Sequence, residues 1–257
     1  MDDSYSGTVV VVTGASTGLG RAIAVGAAER GARAVVINFA SSAAQAEETA
    51  RLVTAAGAEA LLAQGDVGDD HACRAIVASA ERFGRIDALF NNAGKTKAAR
   101  GSDLDGLSGE DFLDIYRINV VGPYQMIRAA RALLEASEVA AVVNTSSIAG
   151  VNGGGSSIAY SASKGALNTI TKSLARALAP KIRVNTICPG FIDTEWFDRV
   201  GIDSDRLREK MRATTPLKVV SAPEDIAEGA LFLGSRAARH ITGEILLIDA
   251  GLHLGAG

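Results

Sequence analysis

The sequence has little of what braces small or secreted folds. Two cysteines occur among 257 residues, Cys73 and Cys188, far apart and without metal-ligand spacing, so neither a disulfide framework nor a zinc site organises the chain. No sign of charge dominates: 26 Lys+Arg stand against 29 Asp+Glu, a net −3, which gives no basic field for a nucleic-acid backbone and no polybasic membrane anchor. No apolar run approaches the ~20 residues needed to cross a bilayer. The start, Met1-Asp2-Asp3-Ser4, is acidic where a secretory signal would be basic, and the last seven residues hold no prenylation cysteine. The three histidines, His71, His240 and His253, show no ligand-like or triad-like spacing. Internal repeats and low-complexity linkers are missing. These absences lead us to expect a cytoplasmic protein without nucleic-acid or membrane partners.

What is present points to one large α/β domain. The chain is 47% hydrophobic and 21% charged, ample for a buried core. Val9-Val10-Val11-Val12 is β-branched throughout, too short for a helix, and ends at Thr13-Gly14, which reads as a buried strand. Similar runs are Ala34-Val35-Val36-Ile37, Ala60-Leu61-Leu62-Ala63, Ala88-Leu89-Phe90, Ala141-Val142-Val143, Ile182-Arg183-Val184 and Ile245-Leu246-Leu247-Ile248. Most are apolar at successive positions, so both faces of their sheet should be covered. Helical periodicity falls between them, over residues 20–30, 43–56, 69–83, 109–136, 159–179 and 224–233. The expected architecture is a doubly wound, Rossmann-type parallel sheet of about seven strands with helices on both faces. Residues 191–216 break the rhythm, are polar and charged, and carry the single tryptophan, Trp196, with Phe197 and Met211. Following a late strand, this segment should overhang the ligand crevice as a lid.

The first strand runs into Thr13-Gly14-Ala15-Ser16-Thr17-Gly18-Leu19-Gly20 and then a helix. Glycines there let the backbone turn tightly and approach a ligand, while the helix start offers unpaired N–H groups to a pyrophosphate. The spacing Gly-x-x-x-Gly-x-Gly only approximates the general dinucleotide fingerprint. Gly14-Ala15-Ser16-Thr17-Gly18 also matches the nucleophile elbow of hydrolases, but Ser16 follows the very first strand and lacks triad partners at suggestive spacing. A sharper constellation lies downstream. Tyr160-Ser161-Ala162-Ser163-Lys164 sets a phenol and an ammonium four residues apart, on one helix face. A phenol with an ordinary pKa of ~10 is a poor acid-base catalyst at neutral pH, and a nearby cation is expected to lower it. Ser147, just past the end of an expected strand, sits on the same rim of the sheet.

Taken together, these pieces resemble the short-chain dehydrogenase/reductase family over nearly the whole chain. They are Thr13-Gly14-x-x-x-Gly18-x-Gly20, Asp66-Val67, Asn91-Asn92-Ala93-Gly94, Asn119, Ser147, Tyr160-x-x-x-Lys164 and Pro189-Gly190-x-x-x-Thr194. The resemblance implies an NAD(P)-dependent oxidoreductase interconverting a carbonyl and an alcohol. It implies that Gly14, Gly18, Leu19 and Gly20 embrace the adenosine pyrophosphate, with Ser16 and Thr17 in the same turn. Asp66 and Val67 would meet the adenine, and Asn92, Ala93 and Gly94 would line the ribose side. Pro189, Gly190, Ile192 and Thr194 would seat the nicotinamide. Tyr160 would exchange the proton, Lys164 would hold the nicotinamide ribose and keep Tyr160 reactive, and Ser147 would fix the substrate oxygen. Asn119 would support a water linking Lys164 to solvent, although an asparagine inside a long helix also serves to satisfy backbone groups at a kink.

After the second strand no acid is present to bind a ribose 2′-OH, and no lysine or arginine to attract a 2′-phosphate. Asn38, Ser41 and Ser42 offer neutral donors, so the expectation is NADP(H), with NAD(H) as the alternative. The sequence is similar to 3-oxoacyl-carrier-protein reductases and related ketone reductases, which implies a small carbonyl or alcohol substrate, including acyl thioesters. An acidic carrier would need a basic patch, for which Arg128, Arg131, Lys172, Arg176, Lys181 and Arg183 are candidates. The resemblance further implies a homotetramer. The competing reading from another class is a nucleotide-binding sensor of the same fold, disfavoured because Ser147, Tyr160 and Lys164 are all intact.

Overall fold

The computed structural model describes residues 4–138, 140–196 and 203–255. Its strands are β1 (Val9–Val12), β2 (Ala34–Phe39), β3 (Glu59–Gln64), β4 (Ala88–Asn91), β5 (Ala141–Thr145), β6 (Arg183–Pro189) and β7 (Ile245–Ile248). All pair in parallel in the order β3-β2-β1-β4-β5-β6-β7. The order reverses between β1 and β4. At such a switch point the loops leaving the two strands part to opposite faces and open a crevice at the carboxyl ends. The Thr13-Gly14 turn and the Asn92-Ala93-Gly94 turn are those two loops.

The valines of β1 divide between two cores. Val10 and Val12 pack with Ile23, Ala27 and Leu231 on one side, whereas Val9 and Val11 pack with Ile76, Met126 and Leu134 on the other. Period-two alternation thus buries both faces of an entirely apolar strand. The sheet edges depart from this pattern. Along β3 only Ala63 is buried, and all four residues of β7 are half-buried.

The helices are α1 (Gly18–Glu29), α2 (Ala43–Ala55), α3 (Asp70–Ala78), α4 (Gly109–Tyr116), α5 (Gly122–Glu135), α6 (Ala149–Asn152), α7 (Ile158–Leu178), α8 (Ser204–Thr214) and α9 (Pro223–Gly234). Instead of one helix over 109–136, a π-helical turn, Arg117–Val121, separates α4 from α5. Pro123 explains it: without an N–H it cannot bond the carbonyl four residues back, that of Asn119, so the α-helical ladder breaks there. The short α6 and the charged α8 were not evident from periodicity. No helix among the described residues is long and apolar enough to cross a membrane.

Candidate active site

The nucleotide end is assembled around Thr13. Its hydroxyl accepts the N–H of Asn92 and of Ala93, each at 3.0 Å, and donates to the Phe90 carbonyl at 3.4 Å. Asn92 returns its side-chain amide to the carbonyls of Thr13 (3.2 Å) and Gly14 (3.1 Å), locking the two loops together. Gly14 has φ +63°, and a Cβ there would come within 2.9 Å of the Ala93 Cα. Both facts require glycine. Gly20 does not line the crevice; a Cβ on it would lie 2.3 Å from the Gly14 carbonyl oxygen, so its role is close helix–turn packing. Helix α1 begins without a side-chain cap and without an acid in its first turn. Its leading N–H groups are therefore left for an anion, as a bound pyrophosphate requires.

The crevice has a volume of about 790 Å³. On the crevice wall past the end of β3, Asp66 accepts from the Gly68 N–H (2.8 Å) and pairs with Arg117 at 3.0 Å, while Val67 is buried. Arg117 also reaches Asp114, which in turn pairs with Lys95. Asn38 behaves differently from expectation. Its amide hydrogens go to the carbonyls of Ala63 and Gly65, both at 3.0 Å, and its Oδ1 accepts from the Gly14 N–H at 3.3 Å. A fully engaged, buried amide braces the glycine turn and has no donor left for a phosphate. Ser41 lines the crevice, whereas Ser42 precedes α2 and does not.

At the other end stand Ser147, Tyr160 and Lys164. Ser157 caps α7 by accepting the Tyr160 N–H at 3.3 Å, which fixes the start of the helix carrying both Tyr160 and Lys164. The Ser147 hydroxyl hydrogen-bonds the Tyr160 phenol and accepts the Ala149 N–H at 3.1 Å. The Lys164 ammonium lies 5.6 Å from the Tyr160 ring centre and donates to the Thr145 carbonyl at 2.7 Å. Lys164 is only 4% exposed, and burial pulls its pKa down to about 8. The expected lowering of the phenol is not what this arrangement gives. Burial pushes Tyr160 up to about 12, with only its bond to Ser147 working against that rise. The cation is committed to Thr145, so desolvation of the phenolate dominates.

Asn119 is fully buried and does not line the crevice. Its side chain accepts from the Lys95 N–H at 2.7 Å and donates to the Lys95 carbonyl at 2.9 Å and to Ser163 Oγ at 3.0 Å. Ser163 passes its own hydrogen to the Tyr160 carbonyl at 2.7 Å. The side chain thus ties the Lys95 main chain to Ser163 on α7.

The other expected catalytic and cofactor residues line the crevice: Gly14, Ser16, Thr17, Gly18, Leu19, Asn38, Ser41, Asp66, Val67, Asn92, Ala93, Gly94, Ser147, Tyr160, Lys164, Pro189, Gly190, Ile192 and Thr194. Sequence reasoning missed Arg21, Lys95 and Arg117 on its walls. Nothing in local spacing marks Lys95 or Arg117, which long-range ion pairs bring there; Arg21 follows Gly20 directly on α1. Trp196 lines the crevice and Met211 is buried, whereas Phe197 lies outside the described residues. Arg208 of α8 grips Asp193 on the crevice wall at 2.7 Å.

Two of the six cations of the basic patch are neutralised by carboxylates and a third is turned inward. Arg128 pairs with Asp70, Arg131 with Glu135, and Arg183 is half-buried against the carbonyls of Leu233 and Ser235. Ser16 is on the crevice, but the one histidine–carboxylate pair among the described residues, His253 with Asp249 at 2.9 Å, lines no part of it. The hydrolase arrangement is not assembled.

Residues 14–253 match the family model described as Enoyl-(Acyl carrier protein) reductase. A Streptomyces violaceoruber protein, provisionally named granaticin polyketide synthase ketoacyl reductase 2, is 40% identical over 98% of both chains. A Staphylococcus aureus 3-oxoacyl-(acyl-carrier-protein) reductase is 34% identical, covering 95% of this chain and 97% of its own. L-rhamnose 1-dehydrogenase (NAD(P)(+)) of Sphingomonas sp. is 36% identical over 96% and 97%. A crystal structure from Burkholderia xenovorans, provisionally described as a short-chain dehydrogenase/reductase, superposes with a TM-score of 0.89 at 43% identity, covering 97% of this chain and 99% of that one. With a family model over residues 14–253 and relatives covering nearly its whole length, the chain belongs to the short-chain dehydrogenase/reductase family.

Proposed function

We propose that the protein reduces a ketone to a secondary alcohol with NADP(H), a 3-oxoacyl thioester or a related small ketone being the substrate. The carrying observation is the placement of Ser147, Tyr160 and Lys164 at one end of a crevice whose other end is the glycine turn. When bound, a nicotinamide cofactor supplies the hydride, and the chain handles the proton. Gly14, Gly18, Leu19 and the open start of α1 hold the pyrophosphate; Asp66 and Val67 flank the adenine; Pro189, Gly190, Ile192 and Thr194 seat the nicotinamide.

The protonation states suit reduction. With Tyr160 near 12 and Lys164 near 8, the pair stands at neutral pH as a neutral phenol beside an ammonium. The Tyr160 O–H and the Ser147 hydroxyl both donate to the carbonyl oxygen. As that oxygen gains negative charge it takes the phenol proton, and the Lys164 cation offsets the phenolate left behind. Asn119 acts as a positioning residue, fixing Lys95 and, through Ser163, the main chain of Tyr160. The segment 191–216 serves as a lid, with Trp196 giving an apolar wall. The rim after β2 carries no carboxylate, which supports NADP(H) over NAD(H). Relatives named as ketoacyl reductases support the ketone reading. Exposed apolar side chains at Leu113, Val121, Tyr124 and Ile158 on the helical flank support assembly as a homotetramer.

The test is oxidation of NADPH, followed at the nicotinamide absorbance band, against 3-oxoacyl thioesters, simple ketones and sugars. Turnover with a ketone is expected. Binding of NADPH with no turnover in either direction on any of these would instead make the protein a nucleotide sensor.

A further inference from the structure

We propose that Arg21 is the residue that selects the adenosine 2′-phosphate, so that the rim between the glycine turn and α2 is a phosphate-recognition site. The inference deepens the NADP(H) reading above and rests on it. From sequence that rim holds only neutral donors; the fold brings a guanidinium to it from the first turn of α1.

Arg21 lines the crevice beside Ser16, Thr17 and Ser41. Three of its five N–H donors are engaged. Nε donates to Thr49 Oγ1 at 2.9 Å, and Nη2 donates to the carbonyls of Ser16 (2.7 Å) and Gln45 (3.1 Å). Thr49 is itself buried and bonded to the same two carbonyls, each at 3.1 Å. The fork is thereby held at a fixed angle, and among the described residues neither Nη1 hydrogen has a protein partner. A cation held from one edge, with its Nη1 amino group left over, offers a fixed, charge-assisted donor to a phosphate monoester.

The surroundings favour a dianion. β2 leads through Asn38, Phe39, Ala40, Ser41 and Ser42 without an acid, and the first turn of α2 has none either. The carboxylate that feels Arg21 is Glu48, which is held by Arg51 through bonds of 2.6 and 2.9 Å. Among the described residues Arg21 has no carboxylate partner, unlike Arg117 and Lys95, which are paired with Asp66 and Asp114. The hydroxyls of Ser16, Thr17 and Ser41 would add neutral donors around the same anion.

A purely structural role is the competing explanation, since Arg21 ties the glycine turn to α2. Calorimetric binding of 2′,5′-ADP and of 5′-ADP separates the two without any turnover. The wild type is expected to prefer 2′,5′-ADP by at least about tenfold. Arg21→Gln is expected to weaken 2′,5′-ADP by about ten- to a hundredfold, the range for a charge-assisted bond, and 5′-ADP by less than about threefold. Thr49→Val removes one brace and keeps the cation, so it should retain the preference even if Arg21→Gln does not fold. Equal affinity of the wild type for both nucleotides, an equal loss of both in Arg21→Gln, or a lost preference in Thr49→Val would overturn the assignment. Failure of either nucleotide to bind would overturn it together with the dinucleotide reading.

Discussion

Lys164 is the most exposing place to perturb the site. An ammonium with one hydrogen-bond partner among the described residues, the Thr145 carbonyl, is kept almost out of water. Its pKa falls from the ordinary 10.5 to about 8, which at about 1.4 kcal/mol per pH unit amounts to about 3 kcal/mol of strain in the charged form. In the unfolded chain the amine keeps its proton to about 10.5, and in the folded protein it loses it near 8. Between those values the unfolded state binds more protons, so stability from this group rises with pH; below about 8 both states are charged and the penalty is fully present. Lys164→Met removes the charge and fills the same slot. After subtracting roughly 1–2 kcal/mol for the lost bond to Thr145, the variant should gain about 1–2 kcal/mol at pH 7. That corresponds to a rise in Tm of about 2–8 °C, with activity abolished. The sharper readout is urea unfolding of both proteins, free of nucleotide, at pH 7 and 9.5. At the higher pH the wild type should gain about 2 kcal/mol relative to the variant, closing the gap or reversing it. A variant less stable than the wild type at pH 7, with a gap independent of pH, would show that the ammonium is not under strain and refute the reasoning.

Two further perturbations test other links. Ser147→Ala should lower kcat/KM by about 10²–10³-fold, the range for loss of one donor to a developing oxyanion. It also removes the one bond that holds the Tyr160 phenol down, so in alcohol oxidation the alkaline rise in rate should move to higher pH. Gly20→Ala places a methyl 2.3 Å from the Gly14 carbonyl oxygen and 2.6 Å from Asn92 Nδ2. Overpacking of this kind costs about 1–3 kcal/mol, so Tm by calorimetry should fall by about 2–12 °C.

The sheet was legible because its interior strands are β-branched and bounded by turn residues. Val9–Val12 could be little else, and the same argument located Ala34–Phe39 and Ala141–Thr145. The helices were legible where amphipathic, but periodicity could not separate Gly109–Tyr116 from Gly122–Glu135. The break comes from one missing N–H at Pro123, and a π turn keeps the apolar phase nearly unchanged. The charged α8 has too few apolar residues to announce a stripe. At the site, motifs placed the backbone that must approach a ligand, since Gly14 and Gly20 are dictated by contacts at 2.9 Å and 2.3 Å. They could not say how polar side chains are occupied. Asn38 turned inward to Ala63 and Gly65, Asn119 closed on Lys95, and Arg21 arrived at the crevice rim by reaching across to Thr49. Such choices depend on carbonyls distant in sequence. The phenol's pKa was misjudged for a similar reason: spacing reveals a neighbouring cation, but only coordinates reveal that burial outweighs it.

The account turns on the Tyr160 hydroxyl as the proton donor, and replacing it by hydrogen examines that directly. In Tyr160→Phe, turnover of whichever ketone the wild type reduces should fall by about 10²–10⁴-fold, while NADPH affinity stays within about threefold. Turnover at the wild-type rate in that variant, with the nucleotide bound equally well, would contradict it.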